Sequence, residues 1–221
     1  MNLEMDSNIF QNDIDIVFSN FNKVLKLLVF CYEKIILEKK FNLDEFETFI
    51  RNIFIKYLRK YKNKFLLGKS YFEAEPEEIT DEYKTGGFID IKIGNIEGLD
   101  FIDEDKYFAF ECKRLNGYSE HKKEYIDNGL SRFISGQYSK KMQLSGMIGF
   151  VQGFQKGKDI DYNISEIKDF LKNESKIKNK TIQNLEYFEV EKDFKYSYFS
   201  KHKREKGLKN IDIYHLFFDF T

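Results

Sequence analysis

Between Ser19 and Lys39 apolar residues fall on nearly every side of a helical wheel, which predicts a helix packed on more than one face. Its most apolar run, VLKLLVFCYEKIIL, is broken by Lys26, Glu33 and Lys34. It falls short of the roughly 20 apolar residues that a bilayer span requires, so a core helix is expected and no membrane segment. From Asn42, a candidate N-cap, Phe46, Phe49, Ile50, Ile53, Phe54, Tyr57, Leu58 and Tyr61 recur at spacings of three and four. That pattern predicts a second helix with a single core face, acids in its first turn and lysines in its last.

Further along, the period falls to two. FLLGKSYFEAEPEEI predicts a short strand closed by Pro76. GFIDIKI alternates, so Ile89, Ile91 and Ile93 are expected on one face and Asp90 and Lys92 on the other. IEGLDFI continues the meander to a turn at DEDK. YFAFECKRL is the strongest strand, with Phe108, Phe110 and Cys112 on one face and Ala109, Glu111 and Lys113 on the other. A helix is expected from Glu120 to Gln143, weakened by Gly129 and Gly136, then a buried strand at GMIGFVQG and a surface helix in YNISEIKDFLKNESK. The tail predicts two or three strands around the basic turn SKHKREK. Helix, mixed sheet, helix, strand, helix and strands in that order predict an α/β (α+β) layer fold.

The 221 residues suit one domain with a helical extension, and 24 Phe and 14 Tyr supply ample apolar area for its core. Its one proline and the lack of a Gly/Ser linker leave a single plausible seam, near Phe41 and Asn42. A formal net charge of -1 removes any argument from a global positive field and leaves local basic clusters to attract a polyanion. Cys31 and Cys112 lie in apolar surroundings, and the N-terminus lacks the pattern of a signal peptide, so a reducing, cytoplasmic setting is expected. No GxGxxG, P-loop, CxxC pair or nucleophile elbow occurs. His121, His202 and His215 do not form a metal motif; His202 falls in the basic turn, and His215 reads as a structural imidazole in a strand.

Glu111 and Lys113, two apart on a strand, project from one face, and Ala109 beside them leaves room. A second carboxylate from a neighbouring strand would complete a cation site of hard oxygens suited to Mg²⁺, with the Cys112 carbonyl as a further ligand. An adjacent ammonium adds charge where a phosphate or an attacking hydroxide needs it, so two acids and a lysine suit metal-assisted phosphodiester hydrolysis. The competing reading is a solvated edge-strand pair. The apolar flanks YFAF and RL favour a central strand, where unpaired charge is costly.

GFIDIKI followed by YFAFECKRLNG resembles the PD-(D/E)xK phosphodiesterase superfamily, with Asp90 as the first acid, Ile89 in place of the proline, and Glu111, Cys112 and Lys113 as the ExK. The resemblance implies a restriction-endonuclease-like central mixed sheet flanked by helices over residues 43–221, preceded by an N-terminal helical extension, 1–42. It implies Asp90, Glu111 and Lys113 as catalytic residues, with Asp90 and Glu111 holding Mg²⁺ or Mn²⁺. Asp100 stays open as an alternative to Asp90, and Glu75 or Glu47 as a further acid. Arg114, Arg132, Gln137 and Lys140 are candidates for gripping nucleic acid, and Gln137 and Tyr138 are expected on the helix after the ExK. The implied function is a nuclease acting on DNA rather than RNA, in restriction or antiphage defence, alone, as a homodimer, or released by a protein partner docked on the N-terminal helices. The alternative is a catalytically silent module of the same fold that serves binding or assembly.

Overall fold

The computed structural model describes residues 3–40, 46–79, 85–96, 106–153 and 157–221. The first helix, α1, runs Leu3–Glu38, well beyond the Ser19 start set by the dense apolar pattern. Phe21, Val24, Leu25 and Leu28 on it are fully buried. The second helix, α2 (Glu47–Tyr61), buries Ile50, Ile53, Phe54, Tyr57 and Leu58 of the face expected from its period, but Phe49 and, just before the helix, Phe46 are exposed rather than in the core. Its N-cap is Phe46, without a side-chain cap, and the expected cap Asn42 lies outside the described residues.

A seven-stranded sheet follows, made of β1 (Tyr71–Ala74), β4 (Ile91–Gly94), β5 (Phe108–Leu115), β6 (Leu144–Val151), β7 (Thr181–Tyr187), β8 (Ser197–His202) and β9 (Ile211–Asp219). Its order is β1-β4-β5-β6-β9-β8-β7. Only β5 with β6 and β6 with β9 run parallel; the remaining pairs are antiparallel. A separate ribbon pairs β2 (Glu77–Ile79) with β3 (Thr85–Phe88). The helices α3 (Ser119–Lys123), α4 (Ser131–Ile134) and α5 (Ile160–Asn173) come between strands. An α+β fold with an open mixed sheet and flanking helices therefore matches the expected class.

The sheet separates two cores. On one face α1 and α2 pack on Phe108, Phe110, Cys112, Ile148, Phe150 and Phe218. The ring of Phe21 stacks on that of Phe110 at 5.7 Å, and that of Phe54 on Phe218 at 5.1 Å. On the other face Ala109, Met147 and Phe217 meet Tyr125, Leu130, Ile164 and Ile167. The apolar residues of α1 that suggested a docked partner are thus largely covered by the chain's own sheet. Among the described residues no helix is long and apolar enough to cross a membrane.

Several further expectations change. GFIDIKI is not one strand: the chain leaves the ribbon after Phe88 and enters the sheet at Ile91. Ile89 consequently belongs to the core opposite that of Ile91 and Ile93, because the break at Asp90 ends the period-two rule. The helix expected to reach Gln143 ends at Ile134, where Gly136 adopts φ +75° and turns the chain. Gln137 and Tyr138 therefore sit in the turn after the helix. His202 ends β8 and is fully buried rather than exposed in the basic turn. IEGLDFI and the DEDK turn fall almost wholly outside the described residues.

Candidate active site

The strand β5 is bonded to β4 on one side and β6 on the other, so Glu111 and Lys113 lie on an interior strand. The last β4–β5 pair is Ile91 with Phe110, and Asp90 stands one step beyond it. Its Oδ2 accepts the Cys112 backbone N–H at 2.8 Å. The sheet register thus brings the three residues of the motif together, with the Asp90 carboxylate on the peptide that joins Glu111 to Cys112. Asp100 lies outside the described residues.

Glu111 is fully buried. Its Oε1 accepts from Lys113 Nζ and from Arg132 Nη1, both at 2.8 Å. Arg132 Nη1 also donates to the Tyr138 hydroxyl at 2.9 Å, and that hydroxyl donates to the Phe88 carbonyl at 2.6 Å. The cover over Glu111 is a π-helical stretch, Glu124–Leu130, joining α3 to α4. A Cβ at Gly129 would stand 2.8 Å from the Met147 methyl and 3.5 Å from Glu111 Cγ, so glycine permits this close approach. Burial, and next the Asp90 charge, push Glu111 up to about 7 against the pull of Lys113 and Arg132. Burial alone would lower Lys113, but Glu111, Glu47 and Asp90 outweigh it and raise it to about 12. Lys113 is therefore an ammonium that donates hydrogen bonds, not a base.

A second set of charges comes from α2. Arg51, buried, donates through Nη1 to Asp90 Oδ1 and to Glu75 Oε1, each at 2.9 Å. Glu47, one helical turn earlier, accepts the Arg114 N–H at 2.7 Å, and its other oxygen lies 3.9 Å from Lys113 Nζ. Burial raises its pKa, opposed by Lys113. The two extra acids of the resemblance thus join the constellation by different routes, Glu47 beside Lys113 and Glu75 through Arg51. Arg51 is not among the residues the motif points to. Its signal was an arginine beside Ile50 on the apolar side of α2, four residues from Glu47. Of the candidates for gripping nucleic acid, Arg132 is held by Glu111, Gln137 is half-buried, Lys140 is exposed, and Arg114 lies against the exposed Phe46 ring at 5.9 Å. An open cleft of about 360 Å³ lies beside Lys113, walled by Phe46, Arg114 and His121 among others.

Among the described residues no three His, Cys, Asp or Glu side chains gather into a ready-made metal cage. Mg²⁺ does not require one, since it commonly keeps several waters and takes one or two carboxylates. Glu111 Oε2 is buried without a hydrogen-bond partner in the protein, a costly state for a carboxylate oxygen. Each Asp90 oxygen accepts one hydrogen bond and retains a lone pair. These oxygens fit a hard dication, which would supply Lewis acidity and a more acidic bound water.

Behind β9 a chain of buried polar groups plays no part in that chemistry. His215 Nδ1 meets the Tyr125 hydroxyl at 2.9 Å, its Nε2 meets Ser200 Oγ at 2.8 Å, and that oxygen meets His202 Nε2 at 2.7 Å. Burial pushes both imidazoles down to about 3. Their folded values lie below the unfolded 6.5, so the stability they lend is present above pH 6.5 and is lost as pH falls towards 3. Glu111 and Glu47 act in the opposite sense, both being raised. In the Glu47→Gln, Glu111→Gln protein, urea titrations at pH 6.5 and pH 5 are expected to differ by roughly 3 kcal/mol for the two histidines together. Equal stability at the two pH values would show that the imidazoles are not held neutral.

No protein-family model, curated protein or solved structure matches the chain.

Proposed function

We propose that this protein is a metal-dependent nuclease of the PD-(D/E)xK type, hydrolysing phosphodiester bonds of DNA in preference to RNA. The observation that carries the reading is the buried Glu111, one oxygen held by two cations and the other without a partner, with Asp90 seated on the adjoining Cys112 amide. Asp90 and Glu111 hold the cation, and Lys113 sets its ammonium towards the scissile phosphate and the attacking water. Arg132 and Tyr138 position Glu111, while Arg51 positions Asp90. The run of strands from β1 to β9, with α2 ahead and the α3–α4 segment inserted, supports a restriction-endonuclease-like arrangement. A role in restriction or antiphage defence rests on the motif resemblance alone.

The test pairs metal binding with cleavage. Mn²⁺ binding followed by calorimetry is expected to weaken at least about tenfold in Asp90→Asn, since one of two carboxylates is lost. DNA cleavage is expected in Mg²⁺ or Mn²⁺ and to stop in EDTA. Cleavage that persists in EDTA, or Mn²⁺ affinity indifferent to Asp90, would overturn the reading.

A second reading, a silent module of the same fold, has one observation in its favour. Both acids are already paired, Asp90 with Arg51 and Glu111 with Lys113 and Arg132, and such a set is stable without a metal. It predicts no Mn²⁺ binding and no cleavage of any nucleic acid.

A further inference from the structure

Large aromatic rings exposed beside a charged cleft need a reason, and two stand beside this one. Phe46, 72% exposed, lies with its ring 5.9 Å from the Arg114 guanidinium. Tyr118, 49% exposed, stands edge-on to His121 with ring centroids 6.2 Å apart. Arg114 and His121 share the cleft wall with Phe46 and Lys113, and Tyr118, beyond His121, lines the neighbouring hollow with Lys122.

We infer that this cleft takes a single-stranded segment of DNA whose bases stack on Phe46 and Tyr118 while its backbone runs past Lys113 and Arg114. The inference rests on the nuclease reading and narrows its substrate. Exposed rings alternating with cations are the means by which single strands are held without regard to sequence, because every base offers a π face. A duplex hides those faces in its stack, so the rings would meet only bases that have left it. The wall also carries the carboxylates of Glu47 and Glu124, bonded to the Arg114 amide and to Asn128. Its net charge therefore does not select the strand; the selection rests on the rings, with Lys113 and Arg114 as the cations for the backbone.

Fluorescence anisotropy with a labelled, non-self-complementary DNA strand, its duplex and the RNA of the same sequence tests this, in EDTA so that cleavage does not intervene. The single DNA strand is expected to bind at least ~10-fold more tightly than the duplex, with Phe46→Ala and Tyr118→Ala each weakening it by ~10-fold and Phe46→Tyr restoring it. Both positions are exposed, and circular dichroism checks that the variants fold. Duplex or RNA bound more tightly than the single strand, or affinity unchanged in both alanine variants, overturns the inference. If it fails while duplex is still cut in Mg²⁺ through Lys113, the nuclease reading stands without it. If single strands bind as expected but no metal-dependent cleavage occurs, stacking stands and the nuclease reading falls.

Discussion

Lys113→Met is expected to reduce metal-dependent DNA cleavage about a thousandfold, the scale of losing one preorganised charge at a developing oxyanion. Methionine keeps most of the lysine stem, so the packing of β5 is retained and the ammonium alone is removed. That ammonium is raised to about 12 by the carboxylates around it, so its work at neutral pH is to donate hydrogen bonds and charge. Raising the pH to 9 therefore does not rescue the variant, as it would if an amine base had been lost. Glu111 keeps Arg132 on the same oxygen, so the stability cost is modest, about 1 kcal/mol, or 2–4 °C in melting temperature. Single-turnover cleavage with wild type and variant at equal folded concentration decides the matter. Undiminished cleavage by a folded Lys113→Met protein would falsify the proposed role and remove the main support for hydrolysis.

The motif was legible in the sequence because a strand's period survives burial. Phe108, Phe110 and Cys112 enter one core and Ala109 the other, as strict alternation requires, and two charges within so apolar a run implied a strand with neighbours on both sides. The link to Asp90 was legible only as a motif. What joins it to Glu111 in space is the β4–β5 register, set by long-range pairing that no local pattern encodes. Ile89 shows where the period misleads. Its spacing from Ile91 is right for a shared face, but the break at Asp90 rotates the chain and sends it to the opposite core.

The counter-charges were harder to read. Arg132 reads as a phosphate grip because a basic residue on a polar helix face usually meets solvent; the close approach allowed by Gly129 brings its segment over Glu111 instead. The apolar period of α2 is complete without Arg51, so nothing in it singles that residue out. Helical spacing places Arg51 and Glu47 on one side of α2 but says nothing of the strand beneath, and the Arg51 partners come from the end of β1 and the entry to β4.

The consequence is sharpest at Arg51. Its side chain is 2% exposed and that of Asp90 13%, so Arg51→Met leaves a largely buried carboxylate with only the Cys112 N–H. Removing one partner of a buried pair costs about 3 kcal/mol, or roughly 6–12 °C in a chain of this size. Glu75 adds little to that loss, being more than half exposed. If the loss comes from the stranded Asp90 charge, removing that charge repairs it. Arg51→Met combined with Asp90→Asn is therefore expected to be more stable than the sum of the single losses by at least about 1 kcal/mol. A dication is the other remedy, because it supplies the positive charge that the guanidinium no longer does. Mn²⁺ is accordingly expected to raise the melting temperature of Arg51→Met by more than that of wild type, and to leave the double variant almost unmoved. Equal Mn²⁺ shifts in all three proteins would mean that Arg51 braces the fold without bearing on a cation site at Asp90.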